Sequence, residues 1–332
     1  MKALLSKLPG GPNALVLEDV NTPKPDRGQI LLSVKACGVN FPDTLIIEDK
    51  YQFKPPRPFS PGSEVAGVVM EVGSDVSRVK VGDRVIGWLY WGGMAEAVIV
   101  EEDQCIPMPD EMPFDEAAAF ILTFGTSYHG LKERGTLRPG ETLLVLGAAG
   151  GVGLAAVELG KAMGARVVAA ASSTAKVDEA KKHGADAGLV YPRSITTPEQ
   201  AKVLADSFKE ACGSAGANVI YDAVGGPYAE PALRAIAWEG RYLVVGFPAG
   251  IPRMPLNLPL LKACQVVGVF WAAWIKRDPP AFQESTRELL SYYKQGKIKP
   301  TISERFTLEQ GANAIQWLAD RKAVGKVVVM MS

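Results

Sequence analysis

The stretch that most limits the fold is residues 142–171. A short apolar run at 142–146 leads into Gly147-Ala148-Ala149-Gly150-Gly151-Val152-Gly153. Apolar residues then recur at helical spacing over 152–163, Gly164 stops the run, and 166–171 is again strand-like. This length suits a βαβ unit. Glycines let the backbone turn tightly and come close to a pyrophosphate. The helix that follows aims its free N–H groups and the positive end of its dipole at the same place. The spacing is GxxGxxG rather than GxGxxG, so its weight comes from the strand–turn–helix setting. The motif predicts a dinucleotide site that includes Gly147, Ala148, Ala149, Gly150, Gly151 and Val152.

The end of the second strand separates the two pyridine dinucleotides. A carboxylate there binds the ribose 2′-hydroxyl and repels a 2′-phosphate. This chain instead has Ser172-Ser173-Thr174-Ala175-Lys176, two hydroxyls and a cation. Ser172, Ser173 and Lys176 therefore point to NADP(H). The competing reading of Lys176 is a lysine that only decorates a surface helix.

The remaining sequence places this unit in a larger design. At 332 residues the chain is long enough for about two domains. Up to about residue 116 it alternates short β-rich runs (30–34, 64–72, 84–86, 95–100) with turn signals, and the Pro-rich 53–61 reads as a loop. After 142, strands and helices alternate: helical 176–183, strand 188–191, helical 199–212, strand 218–221, helical 228–238, strand 242–245. A strand at 266–271 and a helix at 280–295 follow. Such alternation predicts a doubly wound parallel sheet.

Charge and cysteine usage exclude several function classes. Basic and acidic residues number 36 each, so no net field draws the chain to nucleic acid or to an anionic membrane. No apolar run of about 18 residues predicts a transmembrane helix. The N-terminal residues lack the apolar stretch of an export signal. Cys37, Cys105, Cys212 and Cys264 are widely spaced, which predicts reduced thiols, a cytoplasmic location and no paired zinc motif. With only His129 and His183, a His-based metal cage is nearly excluded. No GxSxG elbow supports acyl transfer.

Taken together, the chain resembles the zinc-independent quinone oxidoreductases (zeta-crystallin-like enzymes) of the medium-chain dehydrogenase/reductase superfamily. The resemblance runs through Gly38-Val39-Asn40-Phe41-Pro42-Asp43-Thr44, Pro61-Gly62-Ser63-Glu64-Val65-Ala66-Gly67, Val81-Gly82-Asp83-Arg84-Val85, Gly92-Gly93-Met94-Ala95-Glu96, the glycine turn, Asp222-Ala223-Val224-Gly225-Gly226 and Gly325-Lys326-Val327-Val328. It implies an α/β fold: a Rossmann doubly wound parallel sheet at 123–265 inserted in a GroES-like β-rich catalytic domain at 1–122 and 266–332. The active site would lie in a cleft between them. Zinc-dependent relatives place Cys where this chain has Asn40 and His where it has Ser63, so no metal is expected. Without a Lewis acid to stabilise an alkoxide, a quinone or an activated alkene is a better partner than a simple alcohol.

What the resemblance implies about chemistry is hydride transfer from NADPH to a quinone or to the β-carbon of an α,β-unsaturated carbonyl. It marks Asn40, Asp43 and Tyr51 as candidate catalytic residues, able to stabilise the oxyanion that forms. For each, a local loop role is the alternative. Leu45 stands where the family often carries a second Tyr, which suggests a more apolar site. The resemblance adds cofactor contacts at Thr126, Tyr191, Gly246, Phe247, Phe270, Trp271, Arg321 and Lys326. Core packing competes for Phe270 and Trp271, and solvated charge for Arg321 and Lys326. Rival functions are an enoyl- or acryloyl-CoA reductase, with Lys50, Lys54 and Arg57 as a basic rim, and a non-catalytic NADPH-binding protein. Relatives pair their Rossmann sheets edge to edge, so a homodimer is expected.

Overall fold

The computed structural model describes residues 1–331 and divides them into two compact units, 1–122 with 300–331, and Thr123–Lys299. The chain thus leaves its first unit after Leu122 and returns at Pro300. The expectation had put the return at 266. The reason is the strand Gln265–Gly268, which pairs in parallel with Ile236–Val244 and so carries its successors with the second unit.

The first unit is built on a seven-stranded sheet. Its order is Ile302–Thr307, Lys326–Met330, Gln29–Val39, Glu64–Val72, Arg84–Trp88, Cys105–Pro107, with Ala97–Glu101 also pairing Gln29–Val39. All pairings are antiparallel except that of Ile302–Thr307 with Lys326–Met330. Alternating Val, Ile and Leu face one core that includes Ile30, Leu32, Val65, Val85, Val100 and Val327.

The second unit holds six parallel strands in the order Ala187–Val190, Arg166–Ala171, Thr142–Leu146, Ala217–Asp222, Ile236–Val244, Gln265–Gly268. Numbered along the chain this is 3-2-1-4-5-6, the doubly wound dinucleotide-binding order. Thr142–Leu146 and Arg166–Ala171 are buried past their first residues, as strands covered on both faces must be. The expected helix at 228–238 is only Ala229–Leu233; Ile236 already starts the next strand, which pairs with Ala217 at Ile236 and, past a bulge, with Val219–Asp222 from Arg241 to Val244. Trp271, expected at the end of a strand, instead opens the helix Trp271–Arg277.

One ion-pair knot ties this unit's return segment to its helices. The His183 ring bonds Glu158 at 2.5 Å and lies 3.4 Å from Glu179, and Glu158 accepts the Lys299 N–H at 2.8 Å. The Glu158 bond holds the imidazole above its ordinary 6.5, opposed by partial burial. A raised folded-state value means stability that is fully present below about pH 6.5 and lost as pH rises through the raised value. His183→Gln should therefore lower the Tm clearly at pH 5.5 and much less at pH 9. Equal losses at both would show that charge on His183 is irrelevant.

Candidate functional site

The candidate nucleotide site belongs to the second unit. The strand Thr142–Leu146 ends at Gly147, whose φ of +71° only glycine adopts easily. The Gly150 N–H closes the turn onto Gly147 O at 2.9 Å, and the helix Gly151–Ala162 begins with no side-chain cap. Its first intrahelical bond is made by Leu154 to Gly150, so the N–H groups of Gly151 and Val152 precede the ladder. A Cβ on Gly153 would stand 2.1 Å from Gly147 O, which is why the helix can seat so close to the turn. Ala148 contributes differently from expectation: its N–H goes to Ala170 O at 3.1 Å, so it serves the sheet and not a phosphate. Ala149 is buried.

At the end of the second strand, Ser173 caps the helix Thr174–Lys182 by accepting the Lys176 N–H at 3.4 Å. Ser172, Ser173 and the Lys176 side chain are half-buried, with no carboxylate in 172–176. Tyr191 is buried against Tyr228, ring centroids 4.8 Å apart. Thr126 is half-buried on the helix Ile121–Tyr128. Gly246 and the exposed Phe247 follow Ile236–Val244. Phe270 is exposed, whereas Trp271 is a core residue: its indole lies 2.9 Å from where Gly125 would carry a Cβ and meets Phe282 edge to face. The uncapped helix start and the glycine cradle fit a pyrophosphate.

Two buried groups that sequence reasoning missed brace this cradle. Ser127 Oγ bonds Val152 O and the Tyr221 hydroxyl, each at 2.9 Å, fixing the first turn of the glycine helix from below. Asp222 accepts the N–H groups of Val224 and Gly225 and the Tyr242 hydroxyl. It thereby holds the turn whose Val224 faces Gly147. Burial pushes the Asp222 carboxyl up, and these bonds oppose it. The signal for Asp222 was its place at the carboxyl end of a strand; Ser127 left none.

The candidate catalytic residues Asn40, Asp43 and Tyr51 belong to the first unit, where strand register organises their surroundings. Val327 stands opposite Val39 and Glu64 opposite Gly38, which brings Lys326, Asn40 and Glu64 together at the strand ends. Lys326 Nζ donates to Asn40 Oδ1 at 2.5 Å, Glu64 Oε2 at 3.1 Å and Val39 O at 3.2 Å. Its three protons are spent and it is buried, so the expected cofactor contact by Lys326 is corrected: the ammonium neutralises Glu64 instead. Arg321, the other C-terminal cation, is exposed after the helix Gly311–Ala319.

Asn40 is similarly occupied. Its amide donates to Gly38 O and Glu64 Oε2, both at 3.3 Å, which leaves no free amide hydrogen for an oxyanion. Asp43 accepts the Asn40 N–H at 2.7 Å and the Gly62 N–H at 3.0 Å, stapling the helix Phe41–Ile46 to the 60–63 loop. Burial lifts the Asp43 carboxyl to about 6, against its two N–H donors and Lys326. Tyr51 is half-buried, and its phenol is pushed up by burial and by the charge of Asp43. It therefore keeps its proton at neutral pH and can donate. Asn40 and Asp43 are positioning residues by this geometry; Tyr51 has the remaining donor. Leu45 is half-buried.

Zinc does not fit at this cluster. Asn40 Oδ1 already faces an ammonium, and a second cation would be repelled. Among the described residues, no three His, Cys, Asp or Glu are grouped as metal ligands.

A doubly wound dinucleotide-binding unit inserted in a β-rich unit defines a medium-chain oxidoreductase fold. Family comparison agrees. The alcohol dehydrogenase GroES-like domain matches residues 26–110 and the zinc-binding dehydrogenase domain 151–291. The chain is 42% identical to quinone oxidoreductase-like protein 2 homolog of Nematostella vectensis over 320 residues, covering 95% of this chain and 85% of that one. A probable oxidoreductase of Mycobacterium abscessus superposes with TM-score 0.89 at 37% identity, covering 99% and 98% of the two chains. The Escherichia coli quinone oxidoreductase complexed with NADPH superposes with TM-score 0.90 at 28% identity, covering 99% and 100%. The chain belongs to the quinone oxidoreductase family of the medium-chain dehydrogenase/reductase superfamily and is an oxidoreductase.

Proposed function

We propose that the chain is an NADPH-dependent, zinc-independent reductase of quinones or of α,β-unsaturated carbonyl compounds. The observation that carries the proposal is the glycine cradle followed by Ser172, Ser173 and Lys176, a 2′-phosphate setting without a carboxylate. That the similar Escherichia coli enzyme is complexed with NADPH supports it. Gly151 and Val152 N–H groups would hold the pyrophosphate, Ser172, Ser173 and Lys176 the 2′-phosphate, and Phe247 the remaining open side. When bound, NADPH supplies the hydride. On the acceptor side, Tyr51 donates a hydrogen bond to the developing oxyanion and then its proton. Its partial exposure lets water replace that proton.

The CoA reading loses two of its three rim cations. Lys50 pairs with Glu48, and Arg57 is held by Asp49 Oδ1 at 2.7 Å and Ile47 O at 2.9 Å while lying over Phe59. A cytoplasmic location, where thiols stay reduced, suits the four free cysteines. Among the described residues no helix is long and apolar enough to cross a membrane.

The decisive test is NADPH oxidation at 340 nm with quinones, enones and acryloyl-CoA. Turnover of quinones or enones is expected. NADPH binding with no turnover of any acceptor would leave a binding protein. Lys176→Glu should raise the KM for NADPH about tenfold or more, some 1.4 kcal/mol, and that for NADH less than twofold; equal effects would refute the 2′-phosphate assignment.

We further propose a homodimer through the outer strand Gln265–Gly268. Val266 is exposed there, and the neighbouring helix Asn257–Lys262 exposes Leu260 and Leu261, an edge and apolar face that need cover. Light scattering at micromolar concentration should give twice the chain mass, and Val266→Asp should give the monomer.

A further inference from the structure

Tyr51, the proposed proton donor, sits on a stretch without regular structure. The helix Phe41–Ile46 ends just before it, and the chain next pairs at Phe59, which bridges Ser6. A side chain on such a stretch is placed only as well as the stretch is tied down. For a proton donor this matters, since a displacement of about 1 Å removes most of its effect.

The tie is Arg57. Its Nη1 donates to Asp49 Oδ1 at 2.7 Å, its Nη2 donates to Ile47 O at 2.9 Å, and its guanidinium carbon lies 5.2 Å from the centre of the Phe59 ring. One planar group thus joins the exit of the helix, the residue two before Tyr51 and the far end of the stretch. The front of the same helix is held by Asp43, through the N–H groups of Asn40 and Gly62. Asp49 stands at φ +58°, a left-handed conformation that Asp tolerates better than most residues, and this turn sends the chain on to Tyr51. Lys50, the adjacent cation, pairs with Glu48, so Asp49 is left to Arg57. At 15% and 32% exposure, the Arg57 and Asp49 side chains are shielded enough to make more than a surface contact. Arg57 Nε is buried without an acceptor, so the fork is held here against a local penalty. Broken local rules of this kind gather at functional sites.

We infer that Arg57 is a positioning residue: it clamps the 47–59 stretch in the conformation from which Tyr51 donates. The inference rests on the reductase reading and deepens it. Arg57 acts through Tyr51 and moves no proton itself. Lysine is no substitute, because a point charge on a flexible stem cannot bond a carboxylate and a carbonyl in one fixed plane while covering a ring.

The test is a double-mutant cycle on kcat with saturating NADPH and 1,4-naphthoquinone, using Arg57→Ala, Tyr51→Phe and the double variant, beside Arg57→Lys and Asp49→Asn. Arg57→Ala should lower kcat about tenfold, a barrier increase of 1.4 kcal/mol, with the Kd for NADPH unchanged. In the Tyr51→Phe background the same change should lower it no more than about twofold, because nothing is left to position. Arg57→Lys should recover little of the loss. Asp49→Asn keeps an acceptor for Nη1 and a side chain suited to the left-handed turn, and is the variant to use if Arg57→Ala does not fold. It should lower kcat about threefold, again only while Tyr51 is present. A role in folding alone would lower the Tm of Arg57→Ala but leave kcat of the folded chain intact, and would overturn the inference. Losses that multiply with Tyr51→Phe, or full recovery in Arg57→Lys, would overturn it too. Tyr51→Phe with wild-type kcat would remove the donor role beneath it. A wild-type chain that binds NADPH but reduces neither quinones nor enones would remove the reductase reading itself.

Discussion

Lys326→Met should destabilise the chain by about 3–5 kcal/mol, read from the midpoint of urea unfolding. Glu64 is fully buried, and its Oε2 accepts the Lys326 ammonium at 3.1 Å and the Asn40 amide at 3.3 Å, while Oε1 accepts the Leu122 N–H at 2.9 Å. Removing the ammonium leaves a carboxylate in an apolar core with only neutral donors. There is no room to rearrange, because a Cβ on the neighbouring Gly38 would already lie 2.9 Å from Glu64 Oε2 and 2.0 Å from Ala118 O. Pairing the change with Glu64→Gln removes the orphaned charge, so the double variant should recover a large part of the loss. A single variant within 1 kcal/mol of the parent would mean that the cluster tolerates a bare carboxylate and that Glu64 does not depend on Lys326 for neutralisation.

Gly153→Ala should raise the Kd for NADPH about 100-fold, or 2.7 kcal/mol, with a much smaller effect on the Tm. The added Cβ would stand 2.1 Å from Gly147 O and 2.8 Å from Gly147 C, so the helix start must move off the turn. The N–H groups of Gly151 and Val152 move with it, away from where a pyrophosphate would be held. Ser127 then loses its bond to Val152 O. Titration of protein fluorescence with NADPH measures the loss; an unchanged Kd would mean that close packing of helix on turn is not what holds the nucleotide.

The candidate nucleotide site was legible because it is local. Strand, turn and helix lie within one short stretch, and the glycines carry their own reason. The lysine cluster was not, since Lys326 and Glu64 are 262 positions apart and meet only through the register of two strand pairings. Read alone, Lys326 is one more cation near a terminus. Trp271 illustrates a different loss: hydrophobicity runs on from the strand Gln265–Gly268 through Val269 and Phe270 into the helix, so only Gly268 and the switch from Val to Ala mark the junction. Tyr228–Trp238 failed for a related reason, because Ala-rich helix and aromatic strand abut across Arg234 and Ala235 without a glycine or proline to mark the switch.

The strand Lys326–Met330 also governs the order of events at the ribosome. It inserts beside Gln29–Val39, so the first sheet lacks an interior member until that strand emerges. Everything from Thr123 to Lys299 is synthesised in the meantime, about 20 s at typical elongation rates. Through that wait Glu64 has no counter-charge, and the inserted unit is complete before its host can close.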